Sequence, residues 1–134
     1  MILSGDSGTV YALSNDDNNI GTQQITIRSN GTIAALSSEE AGKSLWTTEK
    51  SGDNWKFKNS NRYLWYNFSS LSLNSNNSTS WTCDLSTNTM SVNGWRDNTY
   101  YVGYNSGFTV SENIHTVYFF HEVTEMIYAD QIDG

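Results

Sequence analysis

Proline is absent from the 134 residues, cysteine occurs once, and seven Lys and Arg face 14 Asp and Glu. The lone Cys83 has no partner for an internal bridge, so it reads as a small buried apolar side chain. A chain of this length can bury one adequate core without disulfide or metal staples, and it has no room for a second domain. Scattered basic residues in a chain of net charge −7 do not form the Lys and Arg clusters that displace counterions from phosphate. Nucleic acid and anionic membrane are therefore not expected as partners. No apolar run approaches the roughly 20 residues that cross a bilayer, so membrane insertion is not expected either. The start Met1-Ile2-Leu3-Ser4 does not read as a signal peptide, and an export signal would lie outside this sequence.

Signals for catalysis and metal binding are also scarce. His115 and His121 stand near one another late in the chain without a nucleophile motif, and Cys and His spacing makes no zinc site. Asn15, Asp17 and Asn19 alternate as calcium-loop ligands do. However, Ile20 stands where the sharp-turn glycine belongs, and no acidic residue closes the loop. Glu39-Glu40 and Asp16-Asp17 read as solvated turns, and a hydrolase would have only scattered carboxylates to work with. No cofactor, metal or catalytic residue is expected, and the chain reads as a binding module rather than an enzyme. Four Asn-x-Ser/Thr sequons, at Asn30, Asn67, Asn76 and Asn77, arise readily in a chain so rich in these residues.

What the chain has is aromatic surface: five Trp, eight Tyr and five Phe, with only 16% charged residues. That rules out a disordered linker and suits short strands joined by many turns. An internal repeat is visible. The segment from Trp46 aligns without gaps on that from Trp81 at an offset of 35, matching Glu49 to Asp84, Trp55 to Met90 and Phe57 to Val92. Tyr63-Leu64-Trp65-Tyr66-Asn67 aligns with Tyr101-Val102-Gly103-Tyr104-Asn105 at 38, and Leu71-Ser72-Leu73 with Phe108-Thr109-Val110 at 37. The offset grows because one unit carries an insertion, Gly94-Trp95-Arg96-Asp97-Asn98. A less regular first unit runs through Ile2-Leu3, Tyr11-Ala12-Leu13 and Ile25-Thr26-Ile27, stretched by turns around Asp16–Asn19 and Asn30-Gly31.

Three units of nearly 40 residues, each of about four short strands, cannot bury their apolar faces singly and can close on one another. The expected fold is therefore all-β, a β-trefoil with units of about 1–47, 48–84 and 85–123, followed by a tail or linker at 124–134. A β-sandwich is the alternative.

Strand parity sorts the tryptophans. Trp46 and Trp81 share a register position with Tyr118, Trp55 shares parity with Phe57, and all three Trp are expected in the core. Trp65 alternates with Leu64 and Tyr66 and should face outward with Tyr63, Asn67, Tyr101 and Asn105, while Trp95 sits in the inserted turn. Sugar rings lay apolar C–H faces on aromatic rings while amide, carboxylate and guanidinium groups bond their hydroxyls. The expected ligand-binding residues are Trp65, Trp95, Arg96, Asp97, Asn98, Tyr101 and Asn105.

The phrases Tyr11-Ala12-Leu13-Ser14-Asn15, Leu45-Trp46-Thr47, Phe57-Lys58-Asn59, Arg62-Tyr63-Leu64 and Tyr104–Ser111 resemble a repeat of large modular surface proteins of gut-type Gram-positive bacteria, over about residues 2 to 122. That resemblance implies a trefoil-like accessory module, extracellular or at the cell surface, directed at carbohydrate. The pattern departs from ricin-type lectin trefoils. Where those carry Gln-x-Trp in each unit, this chain has Ser44-Leu45-Trp46, Thr79-Ser80-Trp81 and Thr116-Val117-Tyr118, so their sugar-site residues do not transfer. The expected function is a non-catalytic, carbohydrate-binding module, monomeric, with a host or dietary glycan as partner. The alternative is a protein-interaction or spacer module contacting a neighbouring or host protein.

Overall fold

The structure is a computed structural model and describes residues 1–5, 9–26, 29, 32–33, 38–123 and 126–129. The expected strand residue Ile27 and the Asn30-Gly31 turn lie outside these. In chain order the elements are β1 (Ile2–Ser4), β2 (Val10–Asp16), β3 (Asn19–Ile25), β4 (Thr32–Ile33), α1 (Ser38–Ser44), β5 (Thr47–Ser51), β6 (Asn54–Asn59), β7 (Arg62–Tyr66) and β8 (Leu71–Asn74). There follow β9 (Thr82–Asp84), β10 (Thr89–Asn93), a 3₁₀ turn (Trp95–Asp97), β11 (Thr99–Tyr104), β12 (Phe108–Ser111), β13 (Tyr118–Val123) and β14 (Met126–Ala129). Among the described residues the fold is all-β apart from these two short helical pieces.

Turn chemistry makes the hairpins. Asp17-Asn18 between β2 and β3, and Ser60-Asn61 between β6 and β7, take positive φ at both central positions, as two-residue hairpin turns require. Gly52, at φ +64, starts the turn from β5 to β6. The β11–β12 turn has Ser106 and Gly107 at positive φ and is closed by the Asn105 N–H on the Gly107 carbonyl, at 2.8 Å.

These hairpins assemble into one six-stranded sheet, β3-β2-β1-β13-β14-β4, and two four-stranded sheets, β5-β6-β7-β8 and β9-β10-β11-β12, with antiparallel pairing throughout. The second sheet is tied to the third where Trp55 and Trp81 exchange backbone hydrogen bonds of 2.9 and 2.7 Å. The start of the chain is tied to its end where Ile2 and Leu3 stand opposite Phe119 and Tyr118. Strands β3, β8 and β12, one from each sheet, contact one another pairwise.

One apolar cluster draws on all three sheets, including Leu13, Phe57, Leu64, Trp81, Met90 and Val102. A smaller one joins Met1, Leu3, Ala12 and Ile25. The repeat reappears in its polar contacts. The indole N–H of Trp46 donates to the Leu13 carbonyl at 3.1 Å, and that of Trp81 to the Leu64 carbonyl at 3.3 Å. The aligned backbone N–H groups of Tyr66 and Tyr104 donate to hydroxyls, of Thr79 at 2.8 Å and of Ser4 at 3.3 Å.

Three expectations change. Trp81 is fully buried and Trp46 and Trp55 are half-buried against the main cluster, but Tyr118 is 48% exposed and its neighbour Val117 is buried instead. The Val117 N–H is held by the Asn88 carbonyl at 2.8 Å, and a shift of one residue along a strand exchanges its faces. Glu39 and Glu40 are exposed, but they lie in the first turn of α1 with Lys43 in its last turn, charges that suit the helix dipole. Within the stretch expected as a tail, the apolar run Met126–Ala129 is a strand paired with both β13 and β4.

Candidate functional site

The inserted turn stands out from the third sheet between β10 and β11. Its neck is held by two backbone hydrogen bonds, Gly94 N–H to the Asn98 carbonyl at 2.9 Å and Asn98 N–H to the Trp95 carbonyl at 3.1 Å. Arg96 and Asp97 both sit in the left-handed region, at φ 56 and 60. This tight reversal leaves Trp95 60% exposed, with the Arg96 guanidinium carbon 5.9 Å from its ring centroid. Arg96, Asp97 and Asn98 are exposed beside it.

The turn rests on aromatic rings. A Cβ at Gly94 would lie 2.5 Å from a Tyr100 ring carbon and 2.8 Å from one of Tyr66, so only glycine lets the backbone approach this closely. Tyr66 and Tyr100 stack at 5.5 Å, and Tyr66 meets Phe68 at 5.1 Å. Phe68 is 65% exposed. Burial and the nearby Glu112 carboxylate raise the Tyr100 phenol above its ordinary pKa of 10.0.

Beside the turn lies a groove of about 430 Å³, walled by Asn54, Ser80, Thr82, Ser91, Val92, Asn93 and Thr99. Asn93 and Thr99, the residues immediately before and after the turn, stand opposite each other across β10 and β11. The turn is thus the rim of the groove. Apart from the apolar Val92, these walls are neutral hydroxyls and amides, and none is charged. The Thr82 hydroxyl donates to the Asn54 side-chain oxygen at 3.2 Å, which joins the second sheet's strand β6 to the third sheet across the groove.

Of the residues expected from sequence, Trp95, Arg96, Asp97 and Asn98 come together on the turn. Tyr101, half-buried, stands opposite Ser91 and so shares the groove's face of the sheet. Trp65 is half-buried on the outer face of the second sheet opposite Ser72, while its neighbour Tyr66 points the other way and supports the turn. Asn105 is exposed at the far end of β11, about 20 Å along the strand from Thr99. Sequence reasoning did not reach Tyr66, Phe68, Tyr100 or the groove walls. The period-two alternation around Met90 and Val92 carried the signal for Ser91 and Asn93, whereas the Tyr66–Tyr100 stack joins two sheets and has no local mark.

The Asn15 side chain, one of the calcium-loop candidates, is buried and donates to the Asn59 carbonyl and side-chain oxygen at 3.2 Å, while its own oxygen accepts the Asn18 N–H at 2.8 Å. Among the described residues no helix is long and apolar enough to cross a membrane. Compared with family models, curated proteins and solved structures, the chain matches none.

Proposed function

We propose that this chain is a non-catalytic carbohydrate-binding module of β-trefoil type, from a bacterial cell-surface or secreted protein, and that it binds its glycan in the groove beside Trp95. The observation that carries this reading is the pairing of an exposed indole with an uncharged groove whose side chains, Val92 apart, are hydroxyls and amides. Such groups match the hydroxyls of a sugar, and the indole offers its face to the C–H side of a pyranose ring. The trefoil arrangement is supported by the threefold sequence repeat, the mutual contact of β3, β8 and β12, and the pairing of β1 with β13. The surface setting rests on the sequence resemblance alone.

The test is a glycan array followed by calorimetric titration of the hits. Trp95→Ala should weaken binding at least about tenfold, the loss of one stacking platform. Because its ring is mostly in solvent, stability should change by no more than about 0.5 kcal/mol. No hit on the array, or unchanged affinity in the variant, would overturn the proposal. Exposed Phe68 and Ile114 favour a second reading, a face for a neighbouring or host protein. That reading expects Phe68→Ser to abolish capture of the partner while saccharide binding stays absent.

A further inference from the structure

The second and third repeats carry the same aromatic on the same outer face, Tyr63 in β7 and Tyr101 in β11, but in different company. In the second repeat the Tyr63 hydroxyl donates to both Glu49 carboxylate oxygens, at 2.9 and 3.2 Å. Lys58, opposite Tyr63 in register, holds its ammonium 5.2 Å from the ring centroid. Lys56 stands opposite Glu49. The face is thus closed over by its own charges.

In the third repeat each of these partners is missing or turned away. The residue opposite Tyr101 is Ser91, and the repeat alignment sets Ser91 and Asn93 where the second unit has Lys56 and Lys58. The counterpart of Glu49 is Asp84, whose carboxylate accepts the Ser86 hydroxyl at 2.7 Å and the Ser86 and Thr87 N–H groups at 3.0 and 3.3 Å. It is occupied in its own turn. The positions that Lys56 and Lys58 hold in the second repeat are taken in the third by Ser91 and Asn93, which line the groove.

From this contrast we infer that, of these two repeats, only the third carries a recognition face, and that its ligand is an uncharged oligosaccharide lying between Tyr101 and Trp95. The inference rests on the glycan reading above and narrows it. The groove walls carry no charge, Arg96 on the rim is followed directly by the exposed Asp97, and a net charge of −7 opposes the approach of a sialylated or sulfated sugar. Hydroxyl and amide walls satisfy a neutral polyhydroxylated chain without that cost. On the second repeat's face the Tyr63 hydroxyl is instead bonded to Glu49 and its ring lies beside the Lys58 ammonium.

The experiment is calorimetric titration of the full chain with neutral oligosaccharides (xylotriose, maltotriose, chitotriose and lacto-N-tetraose) beside sialylated lacto-N-tetraose and a sulfated chondroitin tetrasaccharide. A neutral probe should bind with one equivalent per chain. Asn93→Lys, an exposed change that imports the second repeat's charge, should weaken binding by about tenfold or more, while Tyr63→Ala should alter it by less than about twofold. Circular dichroism verifies that both variants fold. Two equivalents, preference for the anionic probes, unchanged binding in Asn93→Lys, or equal loss in Tyr63→Ala would each overturn the single neutral site while leaving glycan binding intact. Absence of binding to every probe would instead remove the glycan reading, and this inference with it.

Discussion

Side chains of one chemical type meet opposite fates in this chain, and the surroundings decide which. Trp81 is wholly enclosed and spends its indole N–H on the Leu64 carbonyl, whereas Trp95 is held out on a turn that offers it only Arg96. Cys83 lies between the two, half-buried. It packs against the main core, and burial pushes its thiol up to about 12 from an ordinary 9.0. Little thiolate therefore exists at pH 8, and Ellman's reagent should label Cys83 only after denaturant unfolds the chain. The sign of the linked pH effect follows. The folded state holds the thiol proton more tightly than the unfolded state, so the associated stability is complete below pH 9.0 and is lost as pH rises toward about 12. Urea melts at pH 8 and 10 should show a larger alkaline loss for the native chain than for Cys83→Ala.

At the scale of the strand, glycines mark where elements come too close for a side chain. Gly103 in β11 stands at the repeat position that Trp65 holds in β7, and a Cβ there would fall 2.1 Å from the Cβ of His115. The segment carrying His115 lies over this point of the third sheet, which is why the outer tryptophan of the second repeat has no counterpart. Gly103→Ala should destabilise the protein by about 1–3 kcal/mol, the usual range for overpacking. Because the obstructing atom is itself a Cβ, His115→Ala should not rescue it and His115→Gly should. Urea denaturation of the single and double variants measures both. This packing was not legible in advance. The aligned phrases Tyr63–Asn67 and Tyr101–Asn105 announce equivalent strands, but nothing in them says that His115, further downstream, folds back over one and not the other.

For the whole molecule, the relevant feature is that the main core belongs to no single sheet. Leu13, Leu64 and Val102 come from three different sheets and share one cluster, and the β1–β13 and Trp55–Trp81 pairings stitch those sheets together. A unit removed from this arrangement would expose its apolar face, so unfolding should be a single cooperative transition. Tryptophan fluorescence and far-ultraviolet circular dichroism should coincide through a urea titration, and separate midpoints would mean that the sheets unfold independently. The sequence by itself determined the all-β class, the repeat, the alternation that buries Leu64 and Val102, and the exposure of Trp95, because each follows from local patterning with period two or from an insertion in a turn. Tertiary structure alone decided that Tyr66 and Tyr100 brace the turn, that Val117 rather than Tyr118 enters the core, that Met126–Ala129 joins a sheet, and that one repeat's face is open while its sibling is closed. Those outcomes depend on which strands become neighbours across long stretches of chain, and contacts of that kind leave no periodic trace in either partner's sequence.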